Sequence, residues 1–156
     1  MSQDDLQNLY REQVLHHSRN PVHRRVVDDA TCVCEGNNPL CGDKLTVYLT
    51  LNDTTVSDVS FEGSGCAISV ASASMMSDML SGVSRDEATS LLDDVLSLFA
   101  IPAEQPAMLA SQPDAPVTAL GAVRRYPSRI KCATLAWHAA ASVIAGNNNT
   151  TTVSTE

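Results

Sequence analysis

The chain has 156 residues, 44% of them apolar, with ten Lys and Arg against eighteen Asp and Glu for a formal net charge of -8. Such a length predicts one domain able to bury its own core. The negative balance argues against binding a phosphate backbone or an anionic membrane surface, both of which need a positive field. Aromatic residues make up only 4%, so the core must come from Leu, Val, Ile, Ala and Met. The opening Met-Ser-Gln-Asp-Asp lacks the basic start and apolar run of a secretory signal, and no stretch approaches the length of a membrane span. The expectation is a cytoplasmic protein with no nucleic-acid and no membrane partner. In that compartment thiols stay reduced, so five cysteines point to metal or reactive chemistry before disulfides.

Residues 2–19 read as a helix. Ser2 and Asp5 resemble an acidic capping box, Leu6, Leu9, Tyr10, Gln13, Val14 and His17 form an imperfect apolar stripe, and Asn20-Pro21 ends it. Residues 25–34 look extended, with Cys32 and Cys34 on one face, and Gly36-Asn37-Asn38-Pro39 reads as a loop. The alternation of Leu45, Val47, Leu49 and Leu51 with Lys44, Thr46, Tyr48 and Thr50 is the clearest strand, and Val56–Phe61 returns across the turn at Asn52-Asp53. Gly63-Ser64-Gly65-Cys66 leads into a helix at about 67–81, with Gly82 as its stop. Ser84-Arg85-Asp86-Glu87 is a capping box for the next helix, buried through Ala88, Leu91, Leu92, Val95 and Phe99. A proline-bearing stretch, 102–116, reads as an irregular insertion, 117–127 as short helix or turn, and 129–145 as a last helix stopped by Gly146. The polar residues 147–156 read as a disordered tail. The domain is therefore expected over 1–146, in the α+β class, as a small antiparallel three-stranded sheet packed against helices on one face.

Three cysteines stand where a side chain stays reachable. Cys41 lies in a loop before the best strand, Cys66 at a helix start, and Cys132 in the first turns of the last helix, after Arg129 and Lys131. Helix N-termini and nearby cations favour the thiolate, which is both ligand and nucleophile. Asp43, two residues after Cys41, points the same way in an extended segment. Three thiolates and a carboxylate complete a tetrahedral set for zinc, and iron–sulfur units also favour thiolates. On spacing alone, three unrelated buried cysteines explain the pattern equally well.

The motifs add to this. Asn38-Pro39-Leu40-Cys41-Gly42-Asp43, Glu62-Gly63-Ser64-Gly65-Cys66-Ala67-Ile68-Ser69, Ala71-Ser72-Ala73-Ser74-Met75-Met76 and Arg129-Ile130-Lys131-Cys132-Ala133-Thr134-Leu135-Ala136-Trp137 resemble, in order and over roughly residues 1–146, the SufU branch of the IscU/NifU-like family. Lys131 stands where IscU-type proteins carry a His, and the stretch near 100–121 matches an insertion typical of SufU. The resemblance implies the SufE/NifU (IscU-like) fold and a role in iron–sulfur cluster assembly. It implies zinc held by Cys41, Asp43, Cys66 and Cys132, persulfide sulfur received on Cys41 from a SufS-type cysteine desulfurase with help from Arg129, and delivery to a SufBCD-type complex. Such a protein is a sulfurtransferase-like partner of the desulfurase rather than an independent enzyme. The alternative it implies is a scaffold assembling a transient iron–sulfur cluster on Cys41, Cys66 and Cys132. A structural zinc protein is the third reading. Cys32 and Cys34 are expected as ordinary strand residues, Met75, Met76, Met79 and Trp137 as packing, His16, His17 and His23 as surface or partner contacts, and Arg24-Arg25 and Arg124-Arg125 as solvated charges or desulfurase contacts.

Overall fold

The computed structural model describes residues 3–39, 42–102, 116–146 and 150–154, the first and last few by their backbone course only. The elements run α1 (Gln3–Arg19), β1 (Cys32–Asn38), β2 (Asp43–Leu51), β3 (Val56–Ser64), α2 (Ala67–Leu80), α3 (Arg85–Leu98), a 3₁₀ helix (Pro116–Arg125), α4 (Pro127–Gly146) and β4 (Thr150–Ser154). The capping residues expected at Ser2 and Asp5, and the insertion from 103 to 115, lie outside the residues whose side chains are described.

The expected α+β architecture is present. Strands β1, β2 and β3 form an antiparallel sheet in the order β3-β2-β1, and α4 and α2 pack against it. Two strands differ from the sequence reading. The first begins at Cys32 rather than 25 and runs through Gly36-Asn37-Asn38, which reads as loop by composition. Gly and Asn disfavour strands in isolation, but the ladder to β2 pairs Gly36 with Leu45, Asn37 with Lys44 and Asn38 with Asp43, and long-range pairing overrides local preference. Residues 150–154, expected within a disordered tail, pair in parallel with β1 as a fourth strand; Thr-Thr-Thr-Val is rich in the β-branched residues that suit a ladder.

Alternation decides which side chains meet the helices. Along β2, Asp43, Leu45, Val47 and Leu49 are buried, while Lys44 faces solvent and Thr46 and Tyr48 are half-buried. Along β1 the buried set is Cys32, Cys34, Gly36 and Asn38. Leu135 of α4 lies against this inner face at Gly36, and Met75, Met76 and Trp137 are buried in the same core, packing residues as expected. The Trp137 indole donates to Ser72 Oγ at 2.8 Å, and the Ser72 hydroxyl donates in turn to the Ala133 carbonyl, which ties α4 to α2. Ser84 caps α3 by accepting the Glu87 N–H, as its capping box predicts.

Two glycines set the close approaches. A Cβ on Gly36 would sit 3.0 Å from Leu135 Cδ1, so α4 can lie this low over β1 only because that side chain is missing. Gly63 has φ +138°, and a Cβ there would meet the Lys44 carbonyl oxygen at 2.1 Å. Both contacts lie at the end of the sheet that carries Asn38, Asp43 and Ser64.

Candidate metal centre

β1 and β2 pair antiparallel, with Asn38 and Asp43 as direct cross-strand partners and both side chains on the helix side. A carboxylate placed on a core face must find donors, and Asp43, 1% exposed, has two. Its Oδ1 accepts the backbone N–H of Cys66 at 2.9 Å, and its Oδ2 accepts from Asn38 Nδ2 at 3.1 Å.

Cys66 arrives from the far side of the sheet. β3 ends at Ser64, Gly65 passes directly over Asp43, and Cys66 is the N-cap residue of α2 with extended backbone. Its N–H belongs to a helix start, where unpaired donors attract negative charge. Cys132 comes from α4. Leu135 rests on Gly36, and Cys132, one turn earlier on the same helix face, meets the next inward residue of β1: Asn38 Nδ2 donates to Cys132 Sγ at 3.4 Å.

The outcome is that Asp43, Cys66 and Cys132 present one ligand atom each, all within 4.8 Å of one another. A tetrahedral zinc ion with bonds of about 2.0–2.3 Å has ligand–ligand edges of about 3.3–3.8 Å, so the donor set and its spacing suit the ion with small side-chain adjustment. Asp43 and Cys132 are buried and Cys66 is half-exposed, which leaves access from the Cys66 side. Cys41, the fourth expected ligand, lies outside the described residues.

Arg129 is exposed on the first turn of α4, three residues before Cys132. It is within electrostatic reach of Tyr10, a half-buried residue of α1. Burial raises the Tyr10 pKa above its ordinary value, as do Tyr126, Cys66 and Cys132 nearby, and the Arg129 charge opposes the rise. Tyr10 and Asn38 are thus neighbours of the site that the sequence reading did not single out. Tyr10 was visible only as one member of an apolar stripe. Asn38 shares strand parity with Asp43, but that shows only when β1 is extended through it.

Among the described residues no histidine joins the metal-ligating group. His17, expected at the surface, is instead buried against Ser74 Oγ at 2.7 Å, because its helix position faces α2. His23 has φ 56° and donates Nδ1–H to the Val59 carbonyl at 3.1 Å. Cys32 and Cys34 are buried in the core, where desolvation raises both thiol pKa values; they behave as strand residues. Arg25 does face solvent, in a bidentate pair with Asp58. Arg124 does not: it is 6% exposed and donates to the carbonyls of Gly121, Ile101 and Pro102.

Comparison with known proteins gives the family. The model of the NifU-like N terminal domain matches residues 9–133. An iron–sulfur cluster assembly scaffold protein IscU from Streptococcus pyogenes serotype M1 is 36% identical, with 96% of this chain and 91% of the relative covered. A zinc-dependent sulfurtransferase SufU from Bacillus subtilis is 37% identical, over 86% of this chain and 88% of the relative. The crystal structure of a putative iron–sulfur cluster assembly scaffold protein for the SUF system from Fervidobacterium islandicum superposes with a TM-score of 0.74 at 29% identity, covering 85% of this chain and 93% of that one. A fold, a cysteine–carboxylate cluster and a match spanning most of the chain all lead to one conclusion: the chain belongs to the NifU-like N-terminal domain family, among iron–sulfur cluster assembly proteins of the IscU and SufU kind.

Proposed function

We propose that this protein is a zinc-dependent sulfur acceptor in the cytoplasm. It takes persulfide sulfur from a SufS-type cysteine desulfurase and passes it to a SufBCD-type assembly complex. The observation that carries the reading is the meeting of Asp43, Cys66 and Cys132, remote in sequence, with ligand atoms within 4.8 Å of one another. Cys41, two residues before Asp43, completes three thiolates and one carboxylate. Zinc bound there supplies a Lewis-acid centre that keeps the thiolates deprotonated and shielded until a partner arrives.

The sulfur step itself is thiol exchange. The Cys41 thiolate attacks the outer sulfur of the partner's persulfide, a new S–S bond forms on Cys41, the old one breaks, and the desulfurase cysteine leaves as a thiolate. Arg129 supplies a fixed positive charge beside the exchanging sulfurs. A carboxylate is a harder, less committed zinc ligand than a fourth thiolate, which suits a site that exchanges one ligand and keeps the others. The Bacillus subtilis relative's name, zinc-dependent sulfurtransferase, supports the same reading.

The test is sulfur transfer from the desulfurase loaded with labelled cysteine. Wild-type protein with about one zinc should accept label, and Cys41→Ala should not. Normal labelling of Cys41→Ala removes Cys41 as the nucleophile.

A second reading, a scaffold that assembles a cluster on Cys41, Cys66 and Cys132 and hands it to apo-proteins, draws support from the relatives named as scaffolds and from the half-exposed Cys66. It expects visible absorption and acid-labile sulfide after anaerobic reconstitution, followed by loss of both as an apo-acceptor gains its cluster. A cluster that never leaves would refute it.

A further inference from the structure

Asn38 is 0% exposed, yet it is a polar side chain at the end of a strand. A buried amide is costly unless its groups are paired. Its NH₂ carries two hydrogens, and each has an acceptor of its own: Asp43 Oδ2 at 3.1 Å and Cys132 Sγ at 3.4 Å. Its Oδ1 is buried with no partner among the described residues. An unpaired buried acceptor is costly, so this orientation is held by what the two donors gain. Asp43 is held from its other side by the Cys66 N–H at 2.9 Å.

We propose that Asn38 is a positioning residue that ties Asp43 and Cys132 into one rigid pair within the metal site. The inference rests on the zinc reading above and adds to it. Asn38 touches no metal. It acts through two ligands contributed by different elements, β2 and α4, and holds their atoms at ligand spacing before any ion arrives. Outer partners of this kind fix the direction of a ligand lone pair, and their removal typically lowers metal affinity by about 10–100-fold. With Asp43 and Cys132 locked together, exchange of a ligand falls to the thiolates outside that pair.

The experiment is zinc affinity by competition with a chelating indicator for wild type, Asn38→Ala and Asn38→Asp, with the stability of the zinc-free proteins measured beside it. Asn38→Ala is expected to bind zinc about 10–100-fold more weakly. Asn38→Asp keeps the shape, loses the donors and adds a negative charge, and it should do no better. Cobalt substitution gives a second readout: the sulfur-to-cobalt charge-transfer band should shift or weaken in both variants. A merely structural Asn38 predicts lower zinc-free stability with zinc affinity unchanged, and that result overturns the proposal. Wild-type affinity in either variant also overturns it, while leaving the zinc reading intact. Wild-type protein that takes up no zinc overturns both. If neither variant folds, the side-chain amide signals of Asn38 in the wild type decide. Slow exchange with water and a shift on zinc addition support the bridge; rapid exchange with no shift refutes it.

Discussion

Gly65 offers the sharpest test of how the site is built. Its φ lies outside the left-handed region, so its backbone accepts an alanine, and only space is at issue. A Cβ there would sit 2.8 Å from Asp43 Oδ1, 3.0 Å from Ser69 Oγ and 3.1 Å from Ser69 Cβ. Ser69 is buried on the first turn of α2 and has little room to retreat. Asp43 must therefore move, although two N–H donors hold it. A shift of about half an ångström restores an ordinary contact and stretches or breaks the bond from the Cys66 N–H. Hydrogen bonds to charged groups are worth about 1.5–3 kcal/mol. Lost from a zinc site, that corresponds to about 10–100-fold in affinity. Competition with a chelating indicator measures the affinity of Gly65→Ala, and urea unfolding of the zinc-free protein measures stability. Gly82→Ala is the control. Gly82 has φ +85° with nothing within 4 Å of its Cβ position, so alanine there costs about 1–2 kcal/mol of backbone strain and should leave zinc untouched. Wild-type zinc affinity in Gly65→Ala, or an equal loss in Gly82→Ala, would refute the reasoning.

Two further outcomes follow from groups outside the site. Burial, then the neighbouring His16, lowers the His17 pKa below its ordinary value, against a weaker pull upward from Asp78. A depressed folded pKa means that the unfolded chain binds the proton more readily, so stability falls as pH drops below about 6.5 and is fully present above it. Urea unfolding of the zinc-free protein from pH 7.5 to 5 should show that fall, and His17→Gln should flatten it; an unchanged slope would clear His17 of the effect. Arg124→Leu leaves the carbonyls of Gly121, Ile101 and Pro102 without their donor and should cost at least about 2 kcal/mol, read as a lower urea midpoint at constant m value.

Much of this molecule is legible in its sequence because the signals are local and strong. The Leu45-Val47-Leu49 alternation predicts β2 and its buried face, and Ser84 with Glu87 predicts a cap that forms as expected. Asp43, Cys66 and Cys132 stand out in the sequence by chemistry and position, and their ligand atoms lie within 4.8 Å of one another. What sequence hides is what distance partners decide. Gly36-Asn37-Asn38 looks like a turn until β2 supplies a ladder, and Asn38 becomes visible as part of the site only through that pairing. Arg124 looks like a solvated charge until Ile101 and Pro102, more than twenty residues earlier, present their carbonyls to it. β4 pairs with a strand more than a hundred residues away, so no local pattern could announce it.

The way the site is held also predicts what metal removal does, and this separates a sulfur-handling protein from a zinc protein of the purely structural kind. In small structural zinc domains the ion replaces a core, and chelators unfold the chain. Here the frame stands on other supports. Leu135, Trp137, Met75 and Met76 are all almost wholly buried in the core, Leu135 lies against Gly36 of the sheet, and α4 is tied to α2 through Trp137, Ser72 and Ala133. Asp43 has its own donors in Cys66 N–H and Asn38, so no buried carboxylate is stranded when the ion leaves. Chelated protein should therefore keep its far-ultraviolet circular dichroism and melt in one cooperative transition. Its Tm should be lower by the binding linkage alone, about 2.7 kcal/mol of stability when free zinc stands at 100 times the dissociation constant. Removing zinc costs nothing irreversible on this account: metal added back should restore the original melting curve, as an exchangeable ligand set requires. A chain that loses its helical signal on chelation would place the ion in the folding core, and the case for a site built to release a thiolate would fail with it.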